Sequence, residues 1–75
     1  MDGHKPKFVT LREYPQVGPY RVRILEDGVT RSRCLDIREH VHPQGLSRYG
    51  IRIKFRSDLE FLRDVLGAVL RDPLF

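Results

Sequence analysis

Arginine is the residue type that offers this chain most of its chemistry. Eleven of its fourteen cationic side chains are arginines, and the formal net charge is +4. A guanidinium presents planar, forked N–H donors that match phosphate oxygens and also stack on flat rings. A chain rich in arginine is therefore suited to nucleic acid, although a basic surface can also serve solubility alone.

The arginines are spaced as they would be on β-strands. Residues 20–24 alternate strictly between apolar side chains and arginines, and residues 51–55 repeat this alternation. Because successive side chains on a strand point to opposite faces, the cations collect on one side of a sheet. If a helix covers the apolar side, we expect this other side to be open to solvent. The cations predicted on it are Arg21, Arg23, Arg38, Arg52 and Lys54.

The cationic character is uneven along the chain. Residues 1–56 hold twelve Lys and Arg against six Asp and Glu, whereas residues 57–75 hold two against four. On the predicted open side only Asp36 clearly offsets the cations, and like charges on neighbouring strands repel unless an anion lies across them. A curved basic sheet can hold a single nucleic-acid strand, and no helix here suits the major groove of a duplex.

These positions require a sheet followed by one helix, in a single domain of residues 1–75. We expect a flexible basic arm over residues 1–7, a β-sheet over residues 8–56 and a helix over residues 57–72. The strands are predicted at residues 8–14, 20–24, 30–41 and 51–55, with turns at 26–28 and 42–45 and a mobile loop at 46–50.

The helix is predicted to begin at a capping box, Ser57-Asp58-Leu59-Glu60, and to stop before Pro73. Its apolar residues cover an arc of roughly 200°, wider than packing on one sheet requires. The excess indicates a self-complementary homodimer, and a fold-back of the N-terminal segment is the alternative. The residues predicted at the dimer interface are Leu59, Leu62, Leu66, Val69 and Leu70.

Length and composition exclude several classes of protein. A chain of 75 residues with one cysteine, Cys34, forms no internal disulfide, so a partner subunit is the expected source of extra stability. No apolar run approaches the ~20 residues that cross a membrane, and the N-terminus does not resemble a signal peptide. We expect an intracellular protein of the cytoplasm or nucleoid, or of the nucleus in a eukaryote.

Catalysis is not predicted. The sequence has no phosphate-binding glycine loop and no cluster of carboxylates for metal chemistry, and the pair His40 and His42 lacks further ligands at a sensible spacing. Cys34 follows the pattern of a small packing residue rather than a nucleophile. We therefore expect no enzyme, no cofactor and no metal.

A family resemblance rests on three features of the sequence. Residues 35–39 read Leu-Asp-Ile-Arg-Glu, Pro43 and Gly45 mark a turn, and residues 48–51 read Arg-Tyr-Gly-Ile before the last strand and the helix. Over roughly residues 20 to 70 the chain resembles the single-stranded-DNA-binding transcriptional coactivators named positive cofactor four. The resemblance implies a curved four-stranded antiparallel sheet, a homodimer paired through its helices, and grooves for unpaired strands.

The resemblance also implies roles for particular residues. Arg38 falls on a strand arginine that faces DNA, and Arg31 and Arg33 fall on a basic β-hairpin. The family's hairpin aromatic is replaced by Val29 or Thr30, and its tryptophan by His40 or Val41. Base stacking is then left to Tyr20, Tyr49, His40 or arginine planes.

The implied function is non-catalytic binding of single-stranded DNA, in transcription regulation with the transcription machinery as partner, or in replication or repair. Two alternatives stay open: binding of single-stranded RNA, and a protein–protein module that docks through its apolar helix.

Overall fold

The computed structural model describes residues 7–41 and 45–75, with the side chain of Arg48 left out. The elements are β1 (Phe8–Glu13), β2 (Tyr20–Asp27), β3 (Arg33–Val41), β4 (Gly45–Ile53) and α1 (Arg56–Arg71). The strands form one antiparallel sheet in the order β1-β2-β3-β4. The predicted α+β layout, an antiparallel sheet followed by one C-terminal helix, is confirmed. The predicted N-terminal arm and the turn at 42–45 lie mostly outside the described residues.

The β2–β3 hairpin is closed by a loop over residues 28–32. The carboxylate of Asp27 accepts hydrogen bonds from the backbone N–H groups of Val29 and Thr30, at 2.7 and 3.0 Å. These bonds fix the turn and lower the pKa of Asp27. The residue with positive φ is Arg31, at 66°, rather than Gly28 in the predicted turn. As a result β3 begins at Arg33 and not near residue 30.

The fourth strand is longer than the sequence predicted. Residues 46–50, expected to be a mobile loop, belong to β4. Their pairing contains an irregularity, because Arg38 lies opposite Gly50 whereas His40 lies opposite Leu46. The extra residues break the strict alternation on which the strand prediction relied.

The predicted helix start is wrong by one residue, and the capping box does not form. The helix begins at Arg56 with extended Phe55 as its N-cap, and no side chain caps it. Because the helix begins at Arg56, Ser57 lies inside the first turn, where its side chain cannot act as the N-cap. The sixteen residues give a helix of about 24 Å.

The helix does not cover the apolar side of the sheet, so the condition attached to the prediction of an open cationic side is not met. Among the described residues, α1 packs only against β4, the strand that leads into it, and none of its residues is buried. Its first turn borders an open cavity of about 380 Å³ at the end of the sheet. The cavity is lined by apolar side chains, including Ile24, Leu35, Ile53 and Leu59, and by the cations Arg33, Lys54 and Arg56.

The core of the chain sits on the face that carries the arginines. The register brings Leu25 opposite Cys34 and Arg23 opposite Asp36, and the three side chains buried most deeply are Leu25, Cys34 and Asp36. We call this side the arginine face. It carries Phe8, Thr10 and Glu13 of β1, Arg21, Arg23, Leu25 and Asp27 of β2, Cys34, Asp36 and Arg38 of β3, and Gly50 and Arg52 of β4.

The opposite side, the apolar face, is incompletely covered. It carries Tyr20, Val22, Ile24, Leu35, Ile37, Ile51 and Ile53, with the charged residues Glu26, Arg33 and Glu39 at its ends. None of these side chains is buried, and Tyr20 and Ile51 are exposed. A sheet with a wide apolar face and a helix without buried residues leave much hydrophobic surface in contact with water.

The dimensions of the chain agree with this open arrangement. The radius of gyration is 15.0 Å, against about 11 Å for a compact domain of this length. The principal extents are 56 × 32 × 19 Å. No helix among the described residues is long and apolar enough to cross a membrane.

Candidate nucleic-acid interface

The centre of the arginine face is a buried carboxylate that binds three guanidiniums. Asp36 accepts hydrogen bonds from Arg23 Nη2 at 3.0 Å, Arg38 Nε at 2.9 Å and Arg52 Nε at 3.2 Å. The three arginines come from β2, β3 and β4, and the register places Arg23 and Arg52 on either side of Asp36. One acidic residue on a central strand therefore holds arginines from three strands together.

The electrostatics of Asp36 depend on these three partners. Its side chain has no exposed surface, and such burial by itself raises the pKa of a carboxyl. The hydrogen bonds from Arg23, Arg52 and Arg38 outweigh that cost, so the pKa of Asp36 is lowered. Asp36 is therefore ionised at neutral pH, and its charge is needed to balance the arginines around it.

The guanidiniums around Asp36 differ in how far they reach solvent. The side chains of Arg23 and Arg38 are 17% and 13% exposed, whereas that of Arg52 is 34% exposed. Arg38 also donates to the backbone oxygen of Ser47 at 3.1 Å, and Arg23 Nε is buried without a hydrogen-bond partner. The expectation of an open cationic face therefore holds for Arg52 better than for Arg23 and Arg38.

Gly50 makes room for Arg38. A Cβ at this position would lie 2.6 Å from Cγ of Arg38 and 2.7 Å from the backbone oxygen of Ile37. The Arg38 side chain lies across the backbone of Gly50 on its way to Asp36 and Ser47. The glycine thus allows the arginine to lie flat on the sheet.

A second carboxylate binds the fourth arginine of this face. Glu13 accepts two hydrogen bonds from Arg21, from Nε at 2.5 Å and from Nη2 at 2.6 Å. The pair lowers the pKa of Glu13 and raises that of Arg21. Glu13 reaches this face because an irregularity between Thr10 and Arg12 shifts the alternation of β1. Sequence analysis missed Glu13, since a regular strand places it on the other side.

An aromatic side chain also lies on the arginine face. The guanidinium carbon of Arg52 lies 4.2 Å from the centre of the Phe8 ring, and Nζ of Lys7 lies 5.7 Å from it. Phe8 and Arg52 belong to opposite edge strands, which in a flat sheet stand about 14 Å apart. Their contact indicates that the sheet curls toward the arginine face. No pattern in the sequence indicates this pairing.

The β2–β3 hairpin carries the most exposed guanidiniums predicted to bind nucleic acid. Arg31 and Arg33 approach Glu26 at 3.4 and 3.3 Å, and both are mostly exposed. Ion pairs at exposed positions contribute little stability, so these arginines can exchange Glu26 for another anion at small cost. Arg31 holds its position with a left-handed backbone that a glycine or asparagine would adopt more readily.

The other predicted contact residues lie apart from Asp36. Tyr49 is exposed, and its backbone N–H donates to the Ser47 hydroxyl at 3.1 Å. Lys54 is exposed at the cavity beside α1. His40 is half-buried, and its backbone N–H donates to the Pro19 oxygen at 2.8 Å.

The helix presents a continuous apolar surface. Among the residues predicted at a dimer interface, Leu66 and Leu70 are exposed and Leu59, Leu62 and Val69 are half-buried. Phe61 and Val65 are also exposed and extend this surface beyond the predicted set.

No group of three or more His, Cys, Asp or Glu side chains among residues 7–41 and 45–75 is arranged to hold a metal ion. Comparison with protein-family models, with curated proteins and with solved structures finds no match to this chain.

Proposed function

We propose that the chain binds single-stranded DNA on the arginine face and the β2–β3 hairpin, without catalysis, as a homodimer. The observation that carries the proposal is the excess of guanidiniums over carboxylates. On the arginine face four arginines share Glu13 and Asp36, and on the hairpin Arg31 and Arg33 share Glu26. The arginine face retains positive charge after these ion pairs are formed, whereas Asp27 at the start of the hairpin loop brings the formal charge of residues 26–33 to zero.

The ion pairs order the arginine side chains without using all of their N–H donors, so donors remain for phosphate. A guanidinium has five N–H donors, and the bonds of Arg52 to Asp36 use only Nε. Its terminal nitrogens are left for a ligand, and its side chain is already ordered by Asp36 and Phe8. Less conformational entropy is therefore lost when a phosphate binds.

A single strand suits this surface better than a duplex. The face is a curled sheet with planar groups, on which bases of an unpaired strand can stack while phosphates meet the cations. The helix carries Asp58, Glu60 and Asp64 against Arg56, Arg63 and Arg71. Without a net positive charge, it is poorly suited to a DNA groove. The resemblance to positive cofactor four supports the same ligand and a role in transcription regulation, or in replication or repair.

The homodimer is proposed from the uncovered surfaces. The apolar face and α1 both lack a cover, and a second copy supplies self-complementary apolar surface for both. Charge is complementary too, because residues 57–75 carry a net negative charge and Lys54 and Arg56 line the cavity beside the apolar face.

Competition binding tests the proposal. Fluorescence anisotropy with a labelled strand of about 20 nucleotides, competed by the matching duplex and by RNA of the same sequence, separates the possible ligands. We expect the single-stranded DNA to bind at least about tenfold more tightly than the duplex, with affinity falling as salt rises. Tighter binding of RNA would show that the ligand is RNA. Absence of binding to all three nucleic acids would refute the proposal.

A second candidate function is a protein–protein module that docks through α1. The exposed side chains of Phe61, Leu66 and Leu70 favour it. The particle mass discriminates, because a homodimer of about twice 8.8 kDa covers this surface without any partner. A monomer in solution would favour docking on another protein.

A further inference from the structure

We infer that Phe8 and Arg52 together form a base-stacking site, a role that neither the strand pattern nor the family resemblance assigns to Phe8. The inference rests on the proposed function. It supplies what the sequence lacks, since the aromatic and the tryptophan that the resembled family uses for stacking are absent here.

In this pair the guanidinium of Arg52 already lies over the aromatic ring of Phe8. Arg52 lies over the Phe8 ring at 4.2 Å, and Asp36 fixes the guanidinium through Nε at 3.2 Å. A guanidinium between a ring and solvent presents a flat, ordered surface, and such planes stack on nucleobases as aromatic rings do. The side chain of Arg52 is one-third exposed, so this surface is within reach of a ligand.

The position of the pair on the sheet also fits a strand of nucleic acid. Phe8 lies on β1 and Arg52 on β4, the two edge strands. Their side chains meet across the arginine face, over the paired residues Leu25 and Cys34 of the central strands. Arg21 lies on the same face, in the row next to that of Arg52, and is one-third exposed. A base on the Phe8–Arg52 pair therefore places its neighbouring phosphates near further guanidinium donors.

The alternative is that Phe8 only covers the buried side chains beneath it. A cover needs apolar bulk, which leucine also provides, whereas a stacking site needs a flat ring. Substitution of Phe8 by leucine and of Arg52 by lysine therefore separates the two roles. The first keeps the bulk and the second keeps the charge, but both remove one plane of the stack.

The experiment compares an oligothymidylate with an oligomer of the same length that has the same phosphates but no bases. We expect the wild-type protein to prefer the base-containing strand by about tenfold for a stacked base. Phe8→Leu and Arg52→Lys should both reduce this preference severalfold and leave the salt dependence unchanged. Phe75→Leu, at an exposed C-terminal ring, is the matched control and should keep the preference.

The outcomes distinguish this inference from the proposed function. If the wild type binds neither oligomer, the proposed function fails and the inference with it. If the wild type prefers bases and both folded variants keep that preference, the stacking site lies elsewhere and only the inference fails. Circular dichroism establishes folding, and because Arg52→Lys leaves Phe8 in place, the test survives if Phe8→Leu does not fold.

Discussion

Asp36 is the residue on which the arginine face depends most. It is fully buried and holds Arg23, Arg38 and Arg52. Removing one partner of a buried charge network leaves the others uncompensated, which typically costs about 3–5 kcal/mol. A small domain has only about 5–15 kcal/mol in total. The arginines of the proposed binding face are therefore coupled to the stability of the sheet.

We predict that Asp36→Asn lowers the free energy of unfolding by about 3 kcal/mol. The amide keeps the size of the carboxyl but cannot balance three guanidiniums. Urea denaturation at neutral pH measures the change. Glu13→Gln is the control, because the Glu13–Arg21 pair is exposed and exposed pairs contribute little. Equal effects of the two substitutions would contradict the central role of Asp36.

Acid is predicted to weaken the same network. The pKa of Asp36 is lower in the folded chain than its ordinary value of about 3.9. The unfolded chain therefore binds more protons as the pH falls below about 4, and the free energy of unfolding decreases there. The contribution is complete above the ordinary pKa and is lost as the pH falls through the folded one.

Thermal unfolding from pH 7 down to pH 2 tests this dependence. Glu13 and Asp27 also have lowered pKa values, so Asp36→Asn should retain a weaker acid dependence. If wild type and variant lost stability in parallel, the ionised Asp36 would contribute nothing to folding.

The face of the sheet on which a side chain lies could be predicted where the sequence alternates strictly between apolar and cationic residues. Arg21, Arg23 and Arg52 lie on the same face of the sheet, as residues 20–24 and 51–55 indicate. The triple pairing of Asp36 could not be predicted, because it depends on register between three strands. Glu13 and Phe8 were missed because an irregular β1 and a curled sheet bring them to this face.

Among the elements, the β2–β3 hairpin has both a strained backbone and exposed arginine side chains. Arg31 is the one described residue other than glycine with positive φ. A left-handed backbone costs such a residue about 1–2 kcal/mol. Asparagine adopts this conformation more readily, so stability alone does not favour an arginine at this position. We therefore relate Arg31 to the proposed ligand contact.

We predict that Arg31→Asn leaves the melting temperature unchanged or raises it, while it weakens binding of single-stranded DNA. The loss of one phosphate contact should also reduce the logarithmic salt slope by about 0.7. Differential scanning fluorimetry and anisotropy measure the two effects. Unchanged affinity and salt slope would exclude Arg31 from the interface, whatever happened to stability.

Element boundaries were predicted less well than element types. The sheet and the helix were found from their periodicities, but Ser57 does not cap α1 because the helix begins at Arg56. β4 begins at Gly45 because residues 46–50 extend it through an irregular pairing that follows no period of two. Local spacing cannot reveal such pairings, since they depend on β3.

At the scale of the whole molecule, the single chain is open rather than compact. Its radius of gyration exceeds that of a compact domain, and α1 has no buried residue. The sequence predicted an apolar helix surface wider than one sheet covers, and Phe61, Leu66 and Leu70 of that surface are exposed. It did not predict that the helix stands away from its own sheet, because one helical periodicity is compatible with either arrangement.

We predict that Leu66→Glu dissociates the proposed dimer or unfolds the chain, since a charge at an apolar interface is costly to bury. Leu74→Glu is the control, because Leu74 is almost fully exposed beyond the end of α1. Light scattering after size-exclusion chromatography gives the masses. A Leu66→Glu protein that stayed folded and dimeric would place the interface elsewhere.

The most direct test of DNA binding on the arginine face is to observe the guanidiniums themselves. Arginine Nε–H signals in a ¹⁵N NMR spectrum can be followed during titration with single-stranded DNA. We predict that the Nε–H signals of Arg31 and Arg52 shift together with backbone amides of the hairpin, and that Arg63 and Arg71 on α1 stay unchanged. Shifts confined to α1 and the apolar face would contradict binding on the arginine face.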